Sequence, residues 1–361
     1  MDSGGIAGAL FAAALVPGSL TTRIALATLG AFLAVLIAGP FGIRWLRSRF
    51  GERIDSASAR LNELHAAKQN TPSMGGLLLI GATCLVTPLL ADLANPFVPL
   101  LLFVLLTFGA LGAADDWIKI RRLRRGLTPR QKFVVQVVLG LIATWWLQSA
   151  GQSRSDAGTV VLPLGNVTVA LGTGFLIWGA LVVVGSSNGV NLTDGLDGLA
   201  AGTWLISGTC IAVLTYLAGH AEFARHLGIP SVPGSGEITV VLGAMLGAVL
   251  GFLWFNCHPA QVFMGDTGAL SLGAVLGLAA LAVKQELLLI FVGGVFVIET
   301  LSVFFQMGTY RLIGRKPLRC SPLHNHFVFR GDPETRIVTR FWIAAILLAI
   351  AGLATLKLRT L

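Results

Sequence analysis

Polar residues are sparse along this chain, and they gather between long apolar stretches. Ten stretches approach the ~20 residues that an apolar helix needs to cross a bilayer. They run over about 22–44, 75–93, 97–114, 133–150, 169–187, 199–219, 238–256, 267–283, 287–307 and 341–357. The pattern predicts an all-α polytopic membrane protein with about ten transmembrane helices, built as a single integral membrane domain over residues 1–361. The apolar run from Gly5 to Leu15 is too short to span and has no basic flank. It reads as an interfacial lead-in rather than a signal peptide.

Three features interrupt the alternation. Thr159–Leu162 and Val167–Val169 flank a Pro-Leu-Gly-Asn sequence between the fourth and fifth spans, which predicts a small hairpin on the outer side. Gly243, Gly247 and Gly251 recur every four residues in the seventh span, a small-residue stripe suited to helix packing. The last inner loop is the longest, and Pro317, Pro322 and Pro333 predict short broken elements there. Long structured loops in compact domains are usually functional. No repeat of fixed period is present, which argues against an inverted-repeat transporter.

Composition agrees: 55% of residues are hydrophobic and 12% charged, against roughly 25% charged in soluble domains. The net charge of +9 raises nucleic acid as a partner, but its distribution points to a membrane instead. With ten spans, one side holds 45–74, 115–132, 188–198, 257–266 and 308–340. The first, second and last of these loops carry nineteen Lys and Arg, and the opposite loops and tail carry only Arg154, Arg225, Lys284, Lys357 and Arg359. The positive-inside rule then puts the basic loops in the cytoplasm and both termini outside. The basic run also suits an anionic lipid surface. Cys84, Cys210, Cys257 and Cys320 are scattered without metal spacing and read as small apolar residues.

On that topology Asp115, Asp116, Asp194, Asp197 and Asp266 all fall at one membrane face. Acids beside apolar helices are costly unless paired or metal-bound. Asn191, Asp194 and Asp197 recur every three residues, which on a helix or tight turn places them on one side. Asp266 and Thr267 open the eighth span, where free backbone N–H groups favour phosphate. Hard oxygen ligands without cysteine favour Mg²⁺ shared with substrate phosphates, and Lys119 and Lys132 suit phosphate charge. His324 and His326 alternate around Asn325. Without a third nitrogen or sulfur ligand, they read as hydrogen-bonding groups for a diphosphate or sugar. These residues fit phosphoryl transfer, which needs charge neutralisation and positioning, between one soluble and one lipid substrate.

Several long motifs carry a resemblance. They are Lys68–Gly76 (KQNTPSMGG), Asp115–Lys119 (DDWIK), Asn188–Gly198 (NGVNLTDGLDG), Phe255–Asp266 (FNCHPAQVFMGD) and Arg336–Ile343 (RIVTRFWI). In this order they resemble the phospho-N-acetylmuramoyl-pentapeptide transferases, within the polyprenyl-phosphate N-acetylhexosamine-1-phosphate transferase superfamily, over nearly the whole chain. The resemblance implies a homodimer that transfers phospho-MurNAc-pentapeptide from UDP-MurNAc-pentapeptide to undecaprenyl phosphate in the bacterial inner membrane. It implies Asp266 as the Mg²⁺ ligand and Asp115 and Asp116 on the lipid-phosphate side, leaving open which of them, if either, is a base. Asn191, Asp194, Lys119 and Lys132 match positions near the diphosphate and metal. Lys68, Asp197, Asn256 and Phe263 match the nucleoside side, and Gln306 and His324 line the cleft.

Two departures stand out. Asn325 replaces the middle of three consecutive histidines, so an active protein does not need an imidazole there as a proton carrier. Ser73 replaces a common threonine and keeps the hydroxyl. A sister enzyme transferring GlcNAc-1-phosphate, or a related sugar phosphate, would carry the same Asp motifs. The His loop and Thr71–Gly76 favour the muramoyl-pentapeptide enzyme. A secondary transporter would hold its acids near mid-membrane, not at one face.

Overall fold

Runs of Leu, Ala, Val and Ile with few internal polar breaks become long helices. The computed structural model describes residues 18–50, 71–121, 126–150, 158–162 and 167–358. The helices are α1 (Leu20–Phe50), α2 (Gly76–Leu90), α3 (Phe97–Arg121), α4 (Pro129–Ala150), α5 (Gly174–Thr193), α6 (Leu199–Ala218), α7 (Ala221–Leu227), α8 (Gly236–Asn256), α9 (Gly265–Ala282), α10 (Leu289–Val292), α11 (Gly294–Ile313), α12 (Leu323–Arg330) and α13 (Glu334–Leu358). Among the described residues eight of these, α1, α3, α4, α5, α6, α8, α9 and α13, are long and apolar enough to cross a membrane. The protein is therefore a mainly helical, multi-pass membrane protein.

Two of the ten predicted spans differ in form. The second is the 15-residue helix α2. The ninth is broken at Gly293, which separates α10 from α11; adjacent Gly293 and Gly294 lower the cost of leaving helical geometry. The last loop is shorter than expected, because α11 runs on to Ile313 and α13 starts at Glu334, with α12 between them. The run Gly5–Leu15 and the residue Lys68 lie outside the described residues.

Strands β1 (Thr159–Val161) and β2 (Thr168–Ala170) pair antiparallel, with Val160 opposite Val169. They precede α5, so they sit at the end of the bundle away from Thr193. Lys284 fastens them by donating to the Thr159 carbonyl at 3.1 Å, with its ammonium 4.4 Å from the Phe175 ring centre.

Helix α9 is the centre of the bundle. It packs against α2, α3, α5 and α6 and is buried almost all round, as expected for a helix apolar on every face. Its small residues make this possible: a Cβ on Gly273 would land on the backbone of Ser186 and Ser187 in α5. The α8 stripe works the same way, since Gly243, Gly247 and Gly251 each lie against the backbone of α1. At the end of the bundle away from the acids, Arg23 makes a bidentate pair with Glu237, at 2.6 and 3.0 Å. Arg23 also donates to the Leu90 carbonyl, and Glu237 accepts the Asp92 N–H. Large apolar side chains on the outer faces of α1 and α4, among them Leu33, Ile37, Phe41, Phe133 and Trp145, remain exposed, as a lipid-facing surface requires.

Candidate active site

The site forms where α3 ends and α9 begins. Three glycines bring these backbones together. A Cβ on Gly112 would strike the Asp266 carbonyl, one on Gly76 would strike Gly268, and Gly265 takes a positive φ of 71°. Backbone bonds Phe263 N–H to Pro72, Gly75 N–H to Phe263 and Gly76 N–H to Met264, at 2.8, 2.8 and 2.9 Å, lace the segment before α2 to the segment before α9. Buried Ser73 lies beside Gly265 in that seam. The side chain of Phe263 is half-buried at its edge.

Asp116 is buried and receives the start of α9. It accepts from Asp266 N–H at 3.2 Å, Thr267 N–H at 3.0 Å and the Thr267 hydroxyl at 2.7 Å. Hydrogen bonds to charged acceptors contribute about 1.5–3 kcal/mol each, and a helix N-terminus favours an anion. Asp115 accepts the Leu127 N–H at 2.6 Å, which turns the chain from α3 towards α4. Lys119 Nζ lies 2.9 Å from Asp115, 3.0 Å from Asp266 and 3.8 Å from Asp116. Lys132 pairs with Asp266 and stands 3.6 Å from Asp115. Both lysines thus leave the general basic surface and enter the carboxylate cluster.

Asp194 joins from the end of α5, just beyond the helix. Burial, followed by the charges of Asp266 and Asp116, pushes its carboxyl up to about 8, against a hydrogen bond from the Gly265 N–H. A divalent cation relieves such like-charge crowding and reverses the local preference for protons. Asn191 lies half-buried on the last turn of α5, whose backbone carbonyl accepts the Asp194 N–H at 3.3 Å. Four carboxylates from three segments are all oxygen donors, the ligand chemistry of a hard cation such as Mg²⁺, and Lys119 and Lys132 stand among them with positive charge of their own.

Asp197 behaves differently. Helix α5 stops at Thr193, so the three-residue spacing does not carry Asp197 onto one helical face with Asp194. Its carboxylate accepts the Ala260 N–H at 3.1 Å and faces His258 Nδ1 at 3.1 Å, while its own N–H donates to Glu334 at 2.7 Å. Asp197, His258 and Glu334 offer ligand atoms within 4.8 Å of one another. With a nitrogen donor and hydrogen bonds already closing the group, it is a poorer match to Mg²⁺ than the carboxylate cluster. Among the described residues it is nevertheless the group of three whose ligand atoms come together, and it pins three segments to one another. Asn256 reinforces the pin, accepting from Gly198 N–H at 3.1 Å and donating to the Val262 carbonyl at 2.8 Å.

The histidines do not converge as a metal pair. His324 is buried, with Nε2 and Cε1 against the Gly195 Cα, in the space a Cβ would fill. His326 instead accepts the Arg319 N–H through Nδ1 at 3.1 Å and holds its own loop. Asn325 is half-buried on the same turn, its N–H bonded to the Pro322 carbonyl. Gln306, expected to line a cleft, accepts the Leu318 N–H at 3.0 Å and supports the loop's start. The motifs left three participants without a role: His258, Glu334 and Glu299. Glu299 carried the plainest signal, a lone acid inside an apolar stretch.

A membrane bundle with carboxylates and lysines gathered at one end suits phosphate chemistry. The model of glycosyl transferase family 4 matches residues 98–284, from the start of α3 to just past α9, and the chain belongs to that family. The protein is accordingly a membrane-embedded transferase of the polyprenyl-phosphate sugar-phosphate class, with a lipid and a sugar nucleotide as its kinds of substrate.

Proposed function

We propose that the protein transfers phospho-MurNAc-pentapeptide from UDP-MurNAc-pentapeptide to undecaprenyl phosphate, giving lipid I and UMP, the first membrane step of peptidoglycan synthesis. The observation that carries the reading is the cluster of Asp115, Asp116, Asp194 and Asp266 with Lys119 and Lys132. Thr71–Gly76 and the loop around His324 favour the muramoyl-pentapeptide donor over UDP-GlcNAc. In this reading the whole chain is one domain and a homodimer in the bacterial inner membrane. Its acidic face is cytoplasmic, and its termini and β-hairpin are periplasmic.

Asp266, with the neighbouring carboxylates, would hold Mg²⁺, which when bound supplies charge neutralisation along the donor diphosphate. Lys119 and Lys132 neutralise phosphate oxygens and keep the acids from repelling the anionic substrates. Asp115 and Asp116 stand on the acceptor-phosphate side, where they hold Lys119 and the start of α9; an acceptor phosphate that is already a dianion needs neither of them as a base. An oxygen of that phosphate attacks the phosphorus carrying the sugar. The bond to the bridging oxygen breaks, and UMP leaves with that oxygen and the electron pair. The acceptor phosphate is itself a competent nucleophile, so the transfer is direct; recovery of a phospho-sugar bound to an aspartate would overturn that order. Lys68, Asp197, Asn256 and Phe263 belong to the nucleoside side, where Phe263 stacks on uracil. Ser73, Asn191, Gln306, His324, Asn325 and His326 complete the substrate-binding set. The test is UMP release by purified protein with each donor, with and without lipid and Mg²⁺.

A further inference from the structure

The acid of α11 is not part of the carboxylate cluster. Glu299 is completely buried. It accepts the backbone N–H of His324 at 3.1 Å, and its other oxygen stands 3.3 Å from His324 Nδ1. That nitrogen is buried and makes no hydrogen bond among the described residues, and the Glu299 carboxylate is the charged group beside it. The opposite edge of the ring, carrying Nε2, lies against Gly195, next in the chain to Asp194. One carboxylate therefore holds the backbone and stands beside the ring of a histidine whose far edge reaches the candidate active site.

We infer that Glu299 is a positioning residue that keeps the proton of His324 on Nδ1 and thereby directs Nε2 towards the Asp194–Gly195 edge of the site. The chemistry follows from imidazole. Its two nitrogens are distinct, and the bond made by one decides what the other presents. A carboxylate only accepts, so the nitrogen facing it must carry the proton. The buried setting makes an unpaired Nδ1 costly, which favours closing the 3.3 Å approach to Glu299 into a hydrogen bond that fixes the ring. Gly195 is part of the device, because any side chain there would occupy the place of the imidazole.

The catalytic consequence rests on the transferase reading, but the proton position does not, and two measurements separate them. The first uses ¹⁵N spectra of full-length protein labelled at its six histidines, with His324 assigned by the signals lost in His324→Gln. Wild type should show Nδ1 of His324 protonated. Glu299→Gln keeps the volume and an acceptor for the His324 N–H, but turns a donor towards the ring, and should move the proton off Nδ1. An unprotonated Nδ1 in wild type, or an unchanged spectrum in a folded Glu299→Gln, overturns the inference whatever the protein's substrates are.

The second measurement is donor kinetics. Glu299→Gln should lower kcat/KM by about tenfold to a hundredfold, by analogy with the loss of a carboxylate that orients a metal-bound histidine. In the His324→Gln background it should cost less than about a further twofold, since residues acting as one unit are not additive. Full additivity of the two substitutions contradicts the positioning role. Glu299→Asp, which withdraws the carboxylate by one methylene, should fall between wild type and Glu299→Gln.

Discussion

Replacing Gly112 by alanine adds one methyl group where α3 passes the first turn of α9. The new Cβ would stand 2.5 Å from the Thr267 nitrogen and would overlap the Asp266 carbonyl, both of them backbone atoms that have no rotamer to escape into. Ordinary contact lies near 3.5 Å, so the two helices must part by roughly 1 Å. Overpacking of this kind costs about 1–3 kcal/mol of stability, partly offset by the higher helix propensity of alanine. The larger effect should fall on turnover. Asp116 holds Asp266 and Thr267 through three hydrogen bonds, and displacing reacting groups by about 1 Å costs about a hundredfold. Gly81→Ala on α2, where a Cβ meets nothing within 4 Å, is the control. The assay pairs unfolding in detergent with initial rates per folded molecule. Gly112→Ala should be folded, modestly destabilised and slowed about a hundredfold, with Gly81→Ala near wild type. A Gly112→Ala protein within about twofold of the wild-type rate would refute the argument that close approach of these backbones sets the site.

Asp266→Asn should leave the fold intact and cut the rate by about a hundredfold to a thousandfold, the scale of losing one preorganised electrostatic group; near-normal turnover would remove Asp266 from the metal site. Asn325→His should stay within a few-fold of wild type in the same assay, because the Asn325 side chain is only half-buried and the loop is held by His326 and Gln306; a dead variant would mean the loop is built around the amide. Arg23→Ala should destabilise by about 1.5–3 kcal/mol, the scale of losing hydrogen bonds to a charged group in a partly buried pair, with turnover per folded molecule unchanged. Arg23→Met with Glu237→Leu should recover much of that loss in denaturant titrations.

Much of the acidic cluster was legible in the sequence because carboxylates at the ends of apolar spans have few bland explanations. Asp115, Asp116, Asp194 and Asp266 do come together, and Lys119 and Lys132 enter among them. The three-residue spacing of Asp194 and Asp197 allows a helix or a tight turn, and it does not reveal that the chain turns past Thr193 and brings the Asp197 carboxylate to Ala260 and His258. Glu299 was passed over because it sits outside the motifs, and its partner His324 is 25 residues away in sequence. The span count followed hydropathy, which reads apolar length but not the break at Gly293 or the short helix α2. The α8 glycine stripe was read correctly as packing, although nothing in its spacing identified α1 as the partner.

The central claim is tested most directly by following UMP release from purified protein in detergent, given undecaprenyl phosphate, Mg²⁺ and either UDP-MurNAc-pentapeptide or UDP-GlcNAc. Release should occur with the muramoyl donor alone and be lost when either lipid or Mg²⁺ is withheld. Release with UDP-GlcNAc alone, or silence with both donors from well-folded protein, would contradict that claim.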